Sequence, residues 1–165
     1  GIFGHSGGGF MSTAALLTYP DFYDVACSSA GNHDNNIYNK WWSETHNGVE
    51  AVYKKKKDDD GNEIEELTWN AKIKTNQSQA KNLKGHLLLT HGNIDNNVHP
   101  TNSLRVADEL IKAGKRFDMM IFPGKRHGYG SFRSYYEKMM WYYFAEHLLG
   151  DYRNNVDISL PDSGK

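Results

Sequence analysis

A serine set among glycines is the first group in this chain whose type and spacing could do chemistry. Gly4-His5-Ser6-Gly7-Gly8 has the form G-x-S-x-G, and five glycines fall within the first nine positions. A serine hydroxyl is a weak nucleophile until a neighbouring base takes its proton. Glycine loses the most backbone freedom on folding, so this density implies a backbone that bends sharply or crowds itself. A strand turning abruptly into a helix has that need. Its flanking positions crowd each other, and the serine is held in a strained conformation with its hydroxyl above the sheet. The amide of Gly7, opening the helix, would point at a developing oxyanion, and the helix N-terminus adds a favourable dipole.

Two other residues supply what a serine nucleophile lacks. His127, in PGKRHGYG, could take the proton from Ser6 and return it to the leaving group. Asp95, in HGNIDNNVH, could hold that histidine in one tautomer and stabilise its cation. Singly, each has an ordinary explanation: a glycine-rich turn, an Asx turn or cap ahead of Pro100, a surface histidine. Their joint occurrence, in this order and each beyond an expected strand, is far more specific.

Competing sets are weaker. His5, His33, His91, His99 and His127 show no H-E-x-x-H or comparable ligand spacing, so no metal and no other cofactor is expected. Cys27 lies mid-strand without an elbow, as a buried inert thiol would. The phosphate-loop pattern G-x-x-x-x-G-K-[ST] is absent.

These residues must be positioned by regular elements. Gly1-Ile2-Phe3 reads as a strand stub. A helix follows, with Phe10, Ala14 and Leu17 on one face, ending at Tyr19-Pro20. Asp24–Ala30 is a small-residue central strand, and the aromatic segment from Ile37 to Thr45 is expected to be helical. Residues 49–69 read as an inserted charged hairpin with a type I′ turn at Asp60-Gly61, pairing Lys56 with Glu65 and Lys55 with Glu66. Asn76–Leu83 is a polar connector and Gly85–Gly92 a buried strand. A helix opens at Pro100, buries Leu104, Ala107, Leu110 and Ile111, and stops at Gly114. Phe117–Phe122 is the next strand. The last helix, about Ser131 to Leu149, buries Phe132, Tyr136, Met139, Tyr143 and Leu148. Alternating strands and helices imply an α/β protein: a parallel sheet with helices on both faces and ligands at the carboxyl ends of the strands. The order Ser, Asp, His along the chain is that of the α/β-hydrolase triad.

The 165 residues suffice for one domain. Residues 1–150 read as the C-terminal part of an α/β-hydrolase catalytic domain and 151–165 as a polar tail. A net charge of −1 without a basic face argues against nucleic acid, and no apolar run is long enough for a membrane span. The KKKKDDD run is self-complementary and reads as a solvated hairpin tip. The single cysteine excludes an internal disulfide. The chain opens on a strand end with no initiator methionine or signal peptide, and so reads as part of a longer protein.

Gly4-His5-Ser6-Gly7-Gly8-Gly9-Phe10, HGNIDNNVHP and HGYG together resemble the catalytic domain of prolyl oligopeptidase-family serine peptidases, nearest to the bacterial dipeptidyl peptidase IV branch. The resemblance covers nearly the whole chain, the hairpin least. It implies release of dipeptides from peptide N-termini, with Asn97 contacting the P2 carbonyl, Val98 as a wall of the S1 pocket and Tyr38 as a pocket tyrosine. It also implies an upstream β-propeller domain that binds the substrate amine, and a periplasmic or cell-envelope location. The tyrosine that completes the oxyanion hole would likewise lie upstream, so this chain alone is expected to be inactive. Its first strand would present an unpaired edge suited to a homodimer. Gly7, Gly31, Asn32 and Asp34 depart from the branch pattern, which has a tyrosine after the nucleophile and aromatics around the proline ring; a wider or more polar S1 pocket is expected. The alternatives are a carboxylesterase or lipase on the same fold, and a non-catalytic binding module.

Overall fold

The computed structural model describes residues 1–70, 73–153 and 157–159. Part of the expected polar tail, 154–156 and 160–165, lies outside the described residues. The chain falls into two compact units, one of residues 1–33 and 76–165, the other of residues 34–75.

The first unit follows from strands whose side chains alternate between two covered faces of a sheet. Strands β1 (Ile2–His5), β2 (Val25–Ser29), β5 (His86–Gly92) and β6 (Asp118–Phe122) form one parallel sheet in the order β1-β2-β5-β6. Ala26, Leu87 and Leu89 point to one face. They pack with Leu16 and Leu17 of α1 (Gly7–Thr18) and with Val106, Ala107 and Leu110 of α3 (Thr101–Lys112). Cys27 and Leu88 point to the other face, against Phe122, Tyr129 and, from α4 (Arg133–Leu149), Tyr136 and Met140. Because β2 and β5 are covered on both sides, they read as unbroken apolar or small-residue runs. Cys27 is fully buried, and burial pushes its thiol up to about 12, so it stays an inert core residue.

One helix buries a different face from that expected, and another departs from its expected stripe at one residue. In α3, Leu104 and Ile111 are exposed, while Val106 and Ser103 point inward with Ala107 and Leu110. The reason is polar: the Ser103 hydroxyl lies 2.7 Å from Nδ1 of His91 on β5, which takes a core-facing position that apolar periodicity assigns elsewhere. In α4, Leu148 is largely exposed, and the buried stripe runs through Tyr136 and Met140, flanked by Phe132, Met139 and Tyr143.

The second unit contains α2 (Lys40–Asn47) and the hairpin β3 (Glu50–Lys57) with β4 (Glu63–Asn70). Asn39 caps α2 by accepting the Trp42 amide, so the helix starts later than the aromatic run that announces it. The hairpin register is shifted by one residue from the expected pairing. Lys55 lies opposite Glu65 and Lys54 opposite Glu66, and Lys56 reaches Glu66 diagonally at 3.0 Å. The cause is the turn. Asp58 pairs with Asn62 across Asp59-Asp60-Gly61, a three-residue loop with Gly61 at φ 84°, in place of a two-residue I′ turn. The Asp58 carboxylate accepts the amides of Asp60 and Asn62, which holds its pKa below the usual value.

Candidate active site

Parallel strands end on the same edge of the sheet, so Ser6 after β1, Asp95 after β5 and His127 after β6 share one rim. Ser6 has φ 59° and ψ −121°, a strained conformation for a residue with a side chain. It is held on both sides: its amide donates to the Ser29 carbonyl at 2.8 Å, and its carbonyl accepts the Phe10 amide at 3.0 Å. The crowding at this elbow is one-sided. A Cβ at Gly4 would collide with the Gly8 carbonyl, whereas a Cβ at Gly8 would meet nothing. The expectation that both flanking positions require glycine therefore holds for Gly4 only. Gly7 is the first residue of α1, so its amide is among the first-turn N–H groups without an intrahelical acceptor.

The Asp95 and His127 loops are stitched together by backbone bonds. The Asn93 amide donates to the Phe122 carbonyl and the Ile94 amide to the Lys125 carbonyl, each at 3.2 Å. The Gly124 amide donates to Asn93 Oδ1 at 2.7 Å. Within that frame, Oδ2 of buried Asp95 lies 2.7 Å from Nδ1 of His127, and Oδ1 accepts the amides of Asn97 at 2.9 Å and Val98 at 3.0 Å. With Nδ1–H donated to the carboxylate, Nε2 of a neutral His127 is the free base. The His127 side chain remains 22% exposed.

Asp95 is also backed by a residue that sequence patterns did not single out for this role. His91, fully buried, donates from Nε2 to the Val98 carbonyl at 2.8 Å, with Asp95 Oδ2 at 3.3 Å. Its Nδ1 then accepts from Ser103, and burial lowers its pKa, so the ring stays neutral.

A second such residue is His5. Its ring packs against that of His127 with centroids 4.6 Å apart, and its Nδ1 lies 2.8 Å from the Ser29 hydroxyl. Burial first, then the nearby His127 and Arg133, pushes its pKa down to about 4. The variable position within G-x-S-x-G was a signal that could have pointed to it.

The residues expected to bind substrate belong to both units. Asn97 is exposed two positions beyond Asp95, while Val98 is fully buried with its carbonyl engaged by His91. Tyr38 belongs to the second unit, where its ring meets Trp42 edge-on at 6.4 Å. Gly31 approaches the elbow closely. A Cβ there would lie 2.6 Å from the His33 ring and 2.9 Å from the Gly9 backbone, so its lack of an aromatic side chain is enforced by packing. Among the described residues, no three His, Cys, Asp or Glu side chains are gathered as metal ligands would be. Nor is any helix long and apolar enough to cross a membrane.

Comparison with known proteins agrees with this architecture. A sequence model of the prolyl oligopeptidase family matches residues 1–151. The chain is 28% identical to mouse and human dipeptidyl peptidase 8 over 150 residues, covering 90% of this chain and 16% of theirs. Among solved structures, a Bacteroides ovatus protein proposed to be a dipeptidyl aminopeptidase IV superposes with a TM-score of 0.71 at 25% identity, over 89% of this chain and 19% of that one. Porphyromonas gingivalis dipeptidyl peptidase 4 has the same fold, with a TM-score of 0.65 at 24% identity, over 87% and 19%. The chain thus spans less than a fifth of the length of these relatives.

Proposed function

This chain belongs to the prolyl oligopeptidase family, and on that premise we propose that it carries the triad of a serine exopeptidase of the dipeptidyl-peptidase type. The observation that supports this most is the 2.7 Å contact between Asp95 and His127 on the strand rim that also presents the strained Ser6.

In this reading Ser6 Oγ attacks the scissile carbonyl while Nε2 of His127 takes its proton. Asp95, accepting Nδ1–H, stabilises the resulting imidazolium. The Gly7 amide donates to the oxyanion of the tetrahedral intermediate. Collapse expels the amine, which receives the proton from His127, and leaves an acyl ester on Ser6. Water, activated by the same histidine, then hydrolyses the ester. The substrate is a peptide. Asn97, exposed beside Asp95, would contact the substrate's P2 carbonyl, as the family resemblance implies. An upstream propeller domain would capture the free amine.

The test uses the full-length protein. It should cleave fluorogenic dipeptide amides and be labelled at Ser6 by a fluorophosphonate, with both lost in Ser6→Ala. Turnover of short acyl esters without amide cleavage would replace this reading with a carboxylesterase. No Ser6-dependent labelling at all would leave a non-catalytic binding module.

A further inference from the structure

A hydrogen-bonded row crosses the carboxyl edge of three neighbouring strands. His5 is the register partner of Ser29, and Ser29 that of Thr90. Tyr129, two residues beyond His127, bridges them. Its hydroxyl lies 2.7 Å from Ser29 Oγ and 2.9 Å from Thr90 Oγ1, and Thr90 in turn faces the Ser28 carbonyl at 3.5 Å. One donor order satisfies every group: His5 Nδ1–H to Ser29, Ser29 to Tyr129, Tyr129 to Thr90, Thr90 to Ser28. Tyr129 is fully buried and held at φ 64°, a costly conformation for so bulky a residue. Its ring also meets that of His5 at 87°. The loop carrying His127 is therefore anchored to the strand that presents Ser6.

We propose that His5 is a positioning residue for His127: its ring, fixed by the Ser29–Tyr129–Thr90 row, sets the plane of the His127 imidazole and shields that face from water. The proposal rests on the catalytic reading above. The rings meeting His5 are those of His127 and Tyr129, and the Arg133–Glu137 pair lines the same cavity. Burial most of all, then His127 and Arg133, disfavours a cation on His5, against a smaller opposing pull from Asp95. His5 thus stays neutral while His127 gains and loses its proton, and it adds no repulsion to the imidazolium.

The experiment is the steady-state kinetics of a dipeptide amide in full-length wild type, His5→Ala and His5→Phe. In His5→Ala kcat should fall about tenfold with KM little changed, because the base is no longer held in one orientation. His5→Phe keeps a neutral ring against His127 but cannot donate to Ser29, and should return part of kcat. The rate of fluorophosphonate labelling of Ser6 gives a second readout of the same base and should fall in parallel. An unchanged kcat in His5→Ala, a loss confined to KM, or equal losses in the alanine and phenylalanine variants overturns the proposal. Wild-type protein without Ser6-dependent turnover would instead remove the catalytic reading, and this proposal with it.

Discussion

Asp95 holds His127 with one carboxylate oxygen and its own loop with the other: Oδ2 lies 2.7 Å from Nδ1 of His127, and Oδ1 takes the amides of Asn97 and Val98. The carboxylate is thus held in one orientation by its own loop. Its second oxygen could not swing toward another partner without leaving two amides unpaired, each a loss of about 1–3 kcal/mol if buried.

Asp95→Asn should consequently be a defect of chemistry more than of folding. The amide keeps the shape of the carboxyl but cannot stabilise a cation on His127, and it favours the wrong tautomer. We expect kcat on a dipeptide amide to fall about 10⁴-fold in the full-length protein. A far-UV spectrum like that of the wild type should accompany the loss. A decrease under tenfold would separate Asp95 from the mechanism.

The elbow predicts an asymmetry between two glycines of the same motif. Gly4→Ala forces a methyl against the Gly8 carbonyl, a rigid neighbour, and should destabilise by about 3 kcal/mol or more. Gly8→Ala meets open space inside a helix and should be neutral or gain up to about 1 kcal/mol. Chemical denaturation of the two full-length variants checks this, and equal effects would contradict the one-sided packing.

Stability should fall with acid through the buried histidines. His33 is fully buried, accepts Asn76 Nδ2 at 2.9 Å, and is pushed by burial down to about 3. Above the ordinary histidine value of about 6.5 both folded and unfolded chains carry it neutral, and its full contribution is present. As pH falls from there towards 3, the unfolded chain binds a proton that the folded one resists, so stability is lost across that window. His5 and His91, also lowered, act in the same direction. In His33→Gln the denaturation midpoint should vary less between pH 7.5 and pH 4.5 than in wild type. An identical slope in both proteins would show that His33 does not carry the effect.

In the second unit, Asp58 organises the hairpin loop by accepting the amides of Asp60 and Asn62. Asp58→Ala should raise the rate of proteolytic cleavage within residues 58–62. The exposed Lys56–Glu66 pair should show a coupling energy of about 0.5 kcal/mol in a double-mutant cycle, vanishing at high salt. A protease-resistant Asp58→Ala loop, or a coupling of several kcal/mol, would show that the hairpin is held by something other than its turn.

Local chemistry made much of this legible before any fold was known. Gly-x-Ser-x-Gly between an apolar stub and a helix, and apolar runs at β2 and β5, announce themselves because their causes lie within a few residues. The register of the hairpin is not fixed by its sequence, because Asp-Gly suits both a two-residue turn and the end of a three-residue loop. Only the Asp58–Asn62 pairing distinguishes the two. The buried face of α3 escapes apolar periodicity because Ser103 serves His91, twelve residues away on another element.

The sequence by itself determined the order of strands and helices, the elbow at Ser6, and which three residue types stand beyond β1, β5 and β6. Those depend on backbone strain, periodicity and turn chemistry, all short-range. Only the tertiary structure decided that Asp95 meets His127 through one oxygen, that His91 backs it, and that His5 and Tyr129 tie the loop of His127 to the strand that carries Ser6. His91 and Asp95 lie on one strand end, but Asp95 and His127 are 32 residues apart in sequence, and Ser29 and Tyr129 100; a parallel sheet brings such segments to one rim.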